Sequence, residues 1–88
     1  MAWKIEYAET ARKQLRKLDK LTARRLVDFM DERVAPSDDP RAMGKALKGP
    51  LGDLWRYRVS DFRILCDLQD DVLMVLVLRV GNRREVYR

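Results

Sequence analysis

The residues best suited to chemistry in this chain are the arginines of its C-terminal half. Every basic residue after Leu54 is an arginine, and there are seven of them: Arg56, Arg58, Arg63, Arg79, Arg83, Arg84 and Arg88. A guanidinium group offers a planar set of donors that matches a phosphate, and it stays charged in nearly any environment. Tyr87 adds a phenol that can transfer a proton or stack on a base. These side chains are therefore suited to binding phosphate esters.

The spacing of these residues predicts that several of them share one site. Arg56 and Arg58 lie two residues apart in a strand-like segment, so their side chains point to the same face. Arg63 opens the next predicted strand, directly after a tight turn. If the last predicted strand pairs with residues 62–68, the C-terminal tail begins near that turn. We therefore expect up to five groups at one concave edge: Arg56, Arg58, Arg63, Arg83 and Tyr87.

Each of these side chains also has a purely structural interpretation. Arg56 and Arg58 would suit the solvated face of an edge strand, where positive charge discourages aggregation. Arg63 would suit a surface ion pair with Asp61 or Asp67, which contributes little to stability. The C-terminal arginines would suit a frayed basic tail, whose tyrosine packs its ring on the sheet.

The composition excludes several other kinds of chemistry. The chain has no histidine, so the usual zinc ligands and the usual general base at neutral pH are missing. Its one cysteine, Cys66, allows no internal disulfide, fits a reducing cytosol and is expected in the core. The longest apolar run, residues 72–78, is too short to cross a bilayer, and the first residues resemble no secretory signal. We expect a cytoplasmic protein without metal or cofactor.

The charge balance points to anionic partners. The chain has 19 basic and 14 acidic residues, a net charge of +5 and a pI near 9.7. Such a protein attracts RNA, DNA or an acidic protein segment. The basic residues of the first predicted helix are interpreted as a solvated face: Arg12, Lys13, Arg16, Lys17 and Lys20.

The first half of the chain predicts a strand and two helices. Alternation of apolar and charged residues indicates a half-buried strand over residues 2–7. Helical spacing follows over residues 8–18, and Thr22 is expected to cap a second helix that Pro36 ends. We expect this antiparallel helix hairpin to cover one face of a sheet. The connector 36–53 is expected to hold only a short helix near residues 41–47.

The second half predicts three further strands. They cover residues 54–59, 62–68 and 72–80, and short turns between them predict an antiparallel meander. The last strand is apolar on both faces, which is typical of a central strand. Eighty-eight residues support one thin core and one domain over 1–88. The fold class is therefore α+β, of order β-α-α-β-β-β, with a small and mainly antiparallel sheet.

Four segments of the chain resemble the RelE/ParE toxin superfamily. LWRYRVSDFRI, residues 54–64, is similar to the stretch "LwRyRvgdyRv" of that family. VGNRREVY, residues 80–87, is similar to its ending "vghRrevY". Residues 8–18 resemble its first helix, "A.k.l.kLdk", and KALKG at 45–49 resembles its "k.LkG" element. The resemblance covers essentially the whole chain in order, and it implies the RelE-like fold of a compact sheet flanked by a helix hairpin.

The resemblance also implies an activity. RelE-type members are toxins of type II toxin–antitoxin systems that enter the ribosomal A site and cut mRNA there. A ribose 2′-OH attacks the adjacent phosphate and leaves a 2′,3′-cyclic phosphate and a 5′-OH. ParE-type members share the fold but poison DNA gyrase. Both kinds are neutralised by a cognate antitoxin.

Family positions carry over to five residues of this chain. Arg56 and Arg58 lie on the second predicted strand, Arg63 opens the third, and Arg83 and Tyr87 follow the last. The resemblance implies that Arg58 and Arg63 clamp the scissile phosphate. Arg56 and Arg83 then add positive field, and Tyr87 transfers a proton with a pKa lowered by the surrounding arginines. The implied catalytic set is Arg58, Arg63, Arg83 and Tyr87.

Other positions complete or complicate this implied site. Lys48 and Arg84 join Arg56 as expected phosphate-binding residues. The chain departs from the family where it has Asn82 in place of a histidine, and arginines where some relatives have a lysine. Neither asparagine nor arginine is a useful general base at neutral pH. Glu85 is an alternative base, because on a strand-like tail it would share a face with Tyr87.

Three functions follow from these observations. The first is a ribosome-dependent mRNA endonuclease, whose partners are the ribosome, mRNA and a RelB-like antitoxin with an acidic or amphipathic C-terminal segment, bound in a hetero-oligomer. The second is a ParE-like gyrase inhibitor without nuclease activity. The third is a degenerate family member that only binds its antitoxin. No membrane partner is expected.

Overall fold

The computed structural model of the protein describes residues 2–47 and 54–82. The predicted order of elements is present, with one additional short strand in the connector. The strands and helices are β1 (Lys4–Tyr7), α1 (Glu9–Lys17), α2 (Lys20–Phe29), β2 (Lys45–Ala46), β3 (Trp55–Val59), β4 (Phe62–Gln69) and β5 (Met74–Asn82). A π-helical turn over Met30–Val34 extends α2, and 3₁₀ turns cover Pro40–Met43 and Asp70–Val72.

The strands form one five-stranded sheet in the order β1-β5-β4-β3-β2. Strands β2 to β5 pair antiparallel, and β1 pairs parallel to β5. This arrangement confirms the α+β class and the predicted meander. It also places β5 between β4 and β1, so the apolar strand of the sequence is a central one, as its two-sided hydrophobicity predicts.

The ends of β5 differ from the prediction by two residues. Leu73 adopts a left-handed conformation with φ of 50°, which closes the turn before Met74. The strand then continues to Asn82, which pairs with Phe62. The register shifts between Leu65 and Cys66, where β5 has one extra residue. Such a bulge bends the strand and increases its twist.

The helices begin differently from the prediction. Asp19, and not Thr22, is the N-cap of α2: its carboxylate accepts hydrogen bonds from the Thr22 amide at 3.0 Å and the Thr22 hydroxyl at 2.6 Å. The helix can therefore begin at Lys20, so only two residues separate it from α1. Asp ranks above Thr as an N-cap, and Thr22 occupies the third helical position, whose amide the cap side chain accepts from.

The connector also differs from the prediction. Instead of one helix over 41–47, it contains the 3₁₀ turn Pro40–Met43 followed by strand β2. Asp39 caps the turn by accepting from the Arg41 amide at 3.3 Å. Gly44 then continues in an extended conformation that turns the chain onto the edge of β3. A two-residue strand carries no periodicity, so the local pattern did not reveal it.

The core lies between the helices and one face of the sheet. Its sheet residues include Tyr57, Ile64, Cys66, Val75 and Val77, all essentially inaccessible to solvent. Their helical neighbours in this core are Ala11, Leu26, Met30 and Val34. The predicted apolar faces of both helices and the predicted burial of Cys66 are thereby confirmed.

Candidate active site

The strand register brings the predicted arginines of β3 and β4 onto one face of the sheet. Arg58 lies directly opposite Arg63, and Arg56 lies opposite Leu65. Residues opposite each other in antiparallel strands project to the same side. Because Trp55, Tyr57 and Val59 alternate with the arginines, they project to the other face, toward the core.

The position of Arg63 is electrostatically unfavourable. Its side chain is buried, with 6% of the residue exposed, and it faces the cation Arg58 across the strand pair. Its Nη1 donates to the carbonyl oxygen of Phe62 at 3.2 Å. Among the described residues no carboxylate pairs with it, and Asp67 instead accepts from Gln69. Two guanidinium groups held this way, with no counter-ion from the described residues, suit an anionic ligand.

A cleft of about 250 Å³ opens beside these arginines. It is lined by Ala42, Met43, Gly44, Lys45, Arg56, Arg58 and Arg63. Lys45 reaches this cleft because it pairs with Arg56 across β2 and β3. The lining thus contains four basic side chains and no acidic one. Its volume and charge suit a phosphate and part of the attached sugar.

One wall of the cleft belongs to a segment that we call the strap, residues 40–46. The strap lies so close to β3 that a Cβ on Gly44 would collide with the carbonyl oxygen of Arg56 and lie 2.7 Å from Trp55 Nε1. Only glycine permits this close approach of the strap backbone to β3. At the start of the strap, the buried Tyr57 hydroxyl donates to the carbonyl oxygen of Pro40 at 2.8 Å.

A second contact holds the strap against the far end of β4. The two terminal nitrogens of Arg41 each donate to a carboxylate oxygen of Asp70, both at 2.8 Å. The same guanidinium lies 5.8 Å from the ring centre of Trp55. The hydrogen bonds from Arg41 lower the pKa of Asp70 and raise that of Arg41. Such a fork-to-carboxylate pair has defined geometry as well as charge.

The cleft can stabilise negative charge, but its described lining offers no side chain that transfers protons near neutral pH. Both tyrosines of the described chain lie against the core instead. Burial raises the pKa of Tyr7 and of Tyr57 above the ordinary tyrosine value. Within residues 2–47 and 54–82, no group of carboxylates, cysteine or histidine is arranged to hold a metal ion.

Comparison with known proteins identifies the family. A family model described as the ParE toxin of the type II toxin–antitoxin system parDE matches residues 5–87. The chain belongs to the RelE/ParE toxin superfamily. It is thus a toxin of a type II toxin–antitoxin system, as the four sequence segments indicate.

A relative with RelE-type nomenclature spans the whole chain. Toxin RelG of Mycobacterium tuberculosis is 30% identical over 88 residues, which cover 100% of this chain and 99% of RelG.

Solved structures of RelE/ParE toxins share the fold. The toxin–antitoxin complex RelBE2 of Mycobacterium tuberculosis matches with a TM-score of 0.87 and 26% identity, covering 94% of this chain and 100% of that one. A free Escherichia coli RelE with two arginines changed to alanine matches with a TM-score of 0.78 and 27% identity, covering 99% and 92% of the two chains. The prediction of a RelE-like fold is confirmed.

The site residues implied by the RelE/ParE resemblance divide into two groups. Arg56, Arg58 and Arg63 lie together at the cleft. The others lie outside the described residues, and their roles stay predictions: Lys48, Arg83, Arg84, Glu85 and Tyr87. The expected start of the tail is confirmed, because β5 runs beside β4 until Asn82 reaches Phe62, directly after the β3–β4 turn.

Two residues of this RelE/ParE site were missing from the sequence-based expectation. Lys45 lines the cleft, and Arg41 holds the strap that forms its wall. The segment KALKG resembles a family element and so pointed to this region, but nothing in its local pattern indicated which side chain would face the arginines.

No helix among the described residues is long and apolar enough to cross a membrane.

Proposed function

We propose that this toxin is a ribosome-dependent endoribonuclease that cleaves mRNA in the ribosomal A site. The observation that carries the proposal is the pair Arg58 and Arg63, two cations held side by side without a carboxylate from the described chain. Protein folds do not gain stability from such a pair. An RNA phosphate would supply negative charge to this pair.

The proposed reaction is a transesterification within the RNA. The ribose O2′ attacks the adjacent phosphorus, a bond from O2′ to phosphorus forms, and the bond from phosphorus to O5′ breaks. Negative charge builds on the non-bridging oxygens in the transition state. Arg58 and Arg63 would stabilise that charge, while Arg56 and Lys45 would bind flanking phosphates.

Two proton transfers complete the proposed reaction. One group removes the proton of the 2′-OH, and another supplies a proton to the departing O5′. Tyr87 is the proposed proton-transfer group, with Glu85 as the alternative base and Arg83 supporting the developing charge. A Tyr87→Phe variant is expected to cleave far more slowly, and full cleavage by that variant would remove Tyr87 from the mechanism.

The proposed partners are the ribosome with its mRNA and a RelB-like antitoxin. Similar structures, RelBE2 among them, were solved as toxin–antitoxin complexes. A toxin with a basic cleft attracts an acidic or amphipathic segment that folds as it binds. A toxin–antitoxin hetero-oligomer in the cytoplasm is therefore the proposed resting form.

The decisive experiment is primer extension on a reporter mRNA in a purified bacterial translation system, with and without ribosomes. The wild type is expected to cut within codons only when ribosomes are present. Arg58→Ala is expected to cut about a hundredfold more slowly, the cost typical of losing one donor to a developing oxyanion.

Arg33→Ala is the matched control, because Arg33 is an exposed arginine that lines a different groove, beside α2. Its cleavage rate is expected to equal that of the wild type. Intact mRNA and undisturbed translation with the wild-type protein would contradict the proposal. Inhibition of gyrase supercoiling would then identify a ParE-like target, and absence of both effects a degenerate toxin.

A further inference from the structure

The positive charge of the protein is concentrated away from the cleft. Residues 12–25, from the middle of α1 into α2, contain seven basic side chains and one acidic side chain, a net charge of +6. The whole chain has a net charge of +5, so the other 74 residues together carry −1. The net positive charge of the protein therefore comes from α1 and the first half of α2, and not from β3 and β4, which carry the arginines of the cleft.

We give the name α1 basic face to the exposed basic side chains from the second half of α1 to the first residue of α2: Lys13, Arg16, Lys17 and Lys20. All four are exposed. Lys13 and Lys17 are one helical turn apart, as are Lys13 and Arg16, so they project from the same side of α1. Like charges at these spacings destabilise a helix. This surface is therefore not arranged for helix stability.

The nearby carboxylates neutralise little of this surface. Asp19, the single acid between residues 12 and 25, turns its carboxylate to the amide and hydroxyl of Thr22 at the start of α2. Glu9 lies 3.6 Å from Arg16. No described carboxylate forms an ion pair with Lys13, Lys17 or Lys20.

The α1 basic face is held at the same end of the sheet as the cleft. The Gln14 side chain accepts a hydrogen bond from the Val80 amide at 2.8 Å, which fixes α1 against β5. The next residue of β5, Gly81, is the register partner of Arg63. Lys17 lines a small recess with both Val80 and Gly81. An extended polyanion that passes this end of the sheet could contact both surfaces.

The chemistry of this face suits nucleic acid better than protein. Lysine is depleted in protein interfaces, whose affinity depends on buried aromatic and apolar anchors. The four side chains of the face provide none. The phosphates of an RNA duplex require only mobile cations at a convex surface, and lysine provides these as point charges. Apolar side chains of the kind that a protein partner would use lie elsewhere, in the separate groove beside α2. There Leu21 and Phe29 lie among charges of both signs.

We propose that the α1 basic face binds the phosphate backbone of folded, double-helical RNA and is a second RNA-binding surface, distinct from the cleft. On the ribosome, which the proposed function requires, this face would hold the toxin against ribosomal RNA while the cleft engages the mRNA. Binding to duplex RNA itself needs no cleavage, so it can be tested independently of the nuclease proposal.

The test measures binding of a fluorescently labelled 20-base-pair RNA duplex by anisotropy at several salt concentrations. The test variant replaces Lys13, Lys17 and Lys20 by alanine. The charge-matched control replaces Arg24, Arg25 and Arg33, which lie along the α2 groove beside Asp28 and Glu32. Circular dichroism checks folding, and the single variants Lys13→Glu and Lys17→Glu provide the same test if either triple variant fails to fold.

The lysine variant is expected to lose about tenfold or more in affinity, and its slope of log affinity against log salt should decrease by about three, since each phosphate contact contributes roughly 0.9. The arginine control should change affinity by less than about threefold. In the translation assay, the lysine variant should need more toxin for half-maximal cleavage but reach the same maximal rate.

Three results would overturn this proposal. The first is a wild type that binds no duplex. The second is an equal loss of affinity in the two triple variants, which would indicate an effect of net charge alone. The third is an acidic peptide of 20 residues that binds the face more tightly than the duplex does. A different result would overturn only the nuclease proposal. In that case duplex binding depends on the three lysines, but the wild type leaves mRNA intact.

Discussion

Two tyrosines beside the core differ in what their hydroxyl groups contact. Tyr57 donates to the carbonyl oxygen of Pro40, whereas the buried hydroxyl of Tyr7 has no partner among the described residues. Removing one partner of a buried hydrogen bond leaves the other unsatisfied, but removing an unsatisfied hydroxyl relieves a desolvation cost. The same substitution should therefore have opposite effects at the two positions.

We expect Tyr57→Phe to lower the free energy of unfolding by about 1–2 kcal/mol. Tyr7→Phe should leave it unchanged or raise it slightly. Urea unfolding followed by tryptophan fluorescence measures both, and each variant is the control for the other. Equal losses at both positions would contradict the assignment of partners.

Arg63 combines an unfavourable position in the fold with a proposed role in cleavage. Its guanidinium is buried opposite Arg58, so the fold bears the cost of desolvation and of like-charge repulsion. A methionine would fill similar space without charge. Arg63→Met is therefore expected to raise the free energy of unfolding by about 1 kcal/mol or more, and Tm by about 4–8 °C, while mRNA cleavage is lost.

Thermal unfolding and primer extension on the same preparation check this expectation. Arg58→Met is the comparison, because Arg58 is exposed and its replacement removes the repulsion but little desolvation. It should stabilise less and still lose cleavage. A lower Tm for Arg63→Met would show that the arginine has a stabilising partner.

At the scale of elements, the strap determines the shape of the cleft. Its position depends on the close approach of Gly44 to β3 and on the pair between Arg41 and Asp70. Neither contact involves neighbouring residues of the chain: Asp70 follows Arg41 by 29 positions. The strap can therefore be loosened by a substitution at the far end of β4, without touching the cleft.

The Arg41–Asp70 pair makes a prediction about pH. The pKa of Asp70 is lower in the folded protein than the ordinary value of 3.8, because Arg41 donates to its charged form. A lowered folded pKa means that this contribution to stability is present above pH 3.8 and is lost as the pH falls through the folded pKa. Asp70→Asn should lower Tm at neutral pH, and the difference from the wild type should shrink in acid.

Thermal unfolding between neutral and strongly acidic pH measures this difference. Asp71→Asn is the matched control, since Asp71 is the adjacent exposed acid and forms no ion pair with any described residue. Its Tm should follow that of the wild type at every pH. A constant difference between Asp70→Asn and the wild type across the range would contradict the role of the charge.

At the scale of the whole molecule, β1 connects the beginning of the chain to its later strands. The Trp3 amide donates to the carbonyl oxygen of Ala35 at 2.6 Å, and the Lys4 amide to that of Leu73 at 2.8 Å. The Trp3 side chain is 8% exposed and belongs to the core. The backbone of Trp3 and Lys4 thus joins the end of the helical region to the turn before β5, and the Trp3 side chain is part of the core between them.

Trp3→Ala is expected to cost about 3 kcal/mol or more, which is a large part of the stability of a domain this small. Val72→Ala, at an apolar residue that is 59% exposed, should stay within about 0.5 kcal/mol of the wild type. Guanidinium denaturation followed by circular dichroism compares the two variants. A small loss at Trp3 would show that its side chain contributes little to the core.

Local patterns determined most of the elements of this protein, because side-chain period and strand or helix formation are properties of neighbouring residues. The alternation WRYRV was sufficient to place Arg56 and Arg58 on the face opposite Tyr57. It was also sufficient, with the family resemblance, to indicate a phosphate-binding site on β3 and β4.

Tertiary structure alone decided how that site is enclosed. The parallel insertion of β1 beside β5, the burial of Arg63, the strap, and the arrival of Lys45 at the arginines all depend on contacts between residues far apart in the chain. Long-range packing decides which strand edge a two-residue segment pairs with and how deeply a charged side chain is buried. Local periodicity therefore contains no information on either.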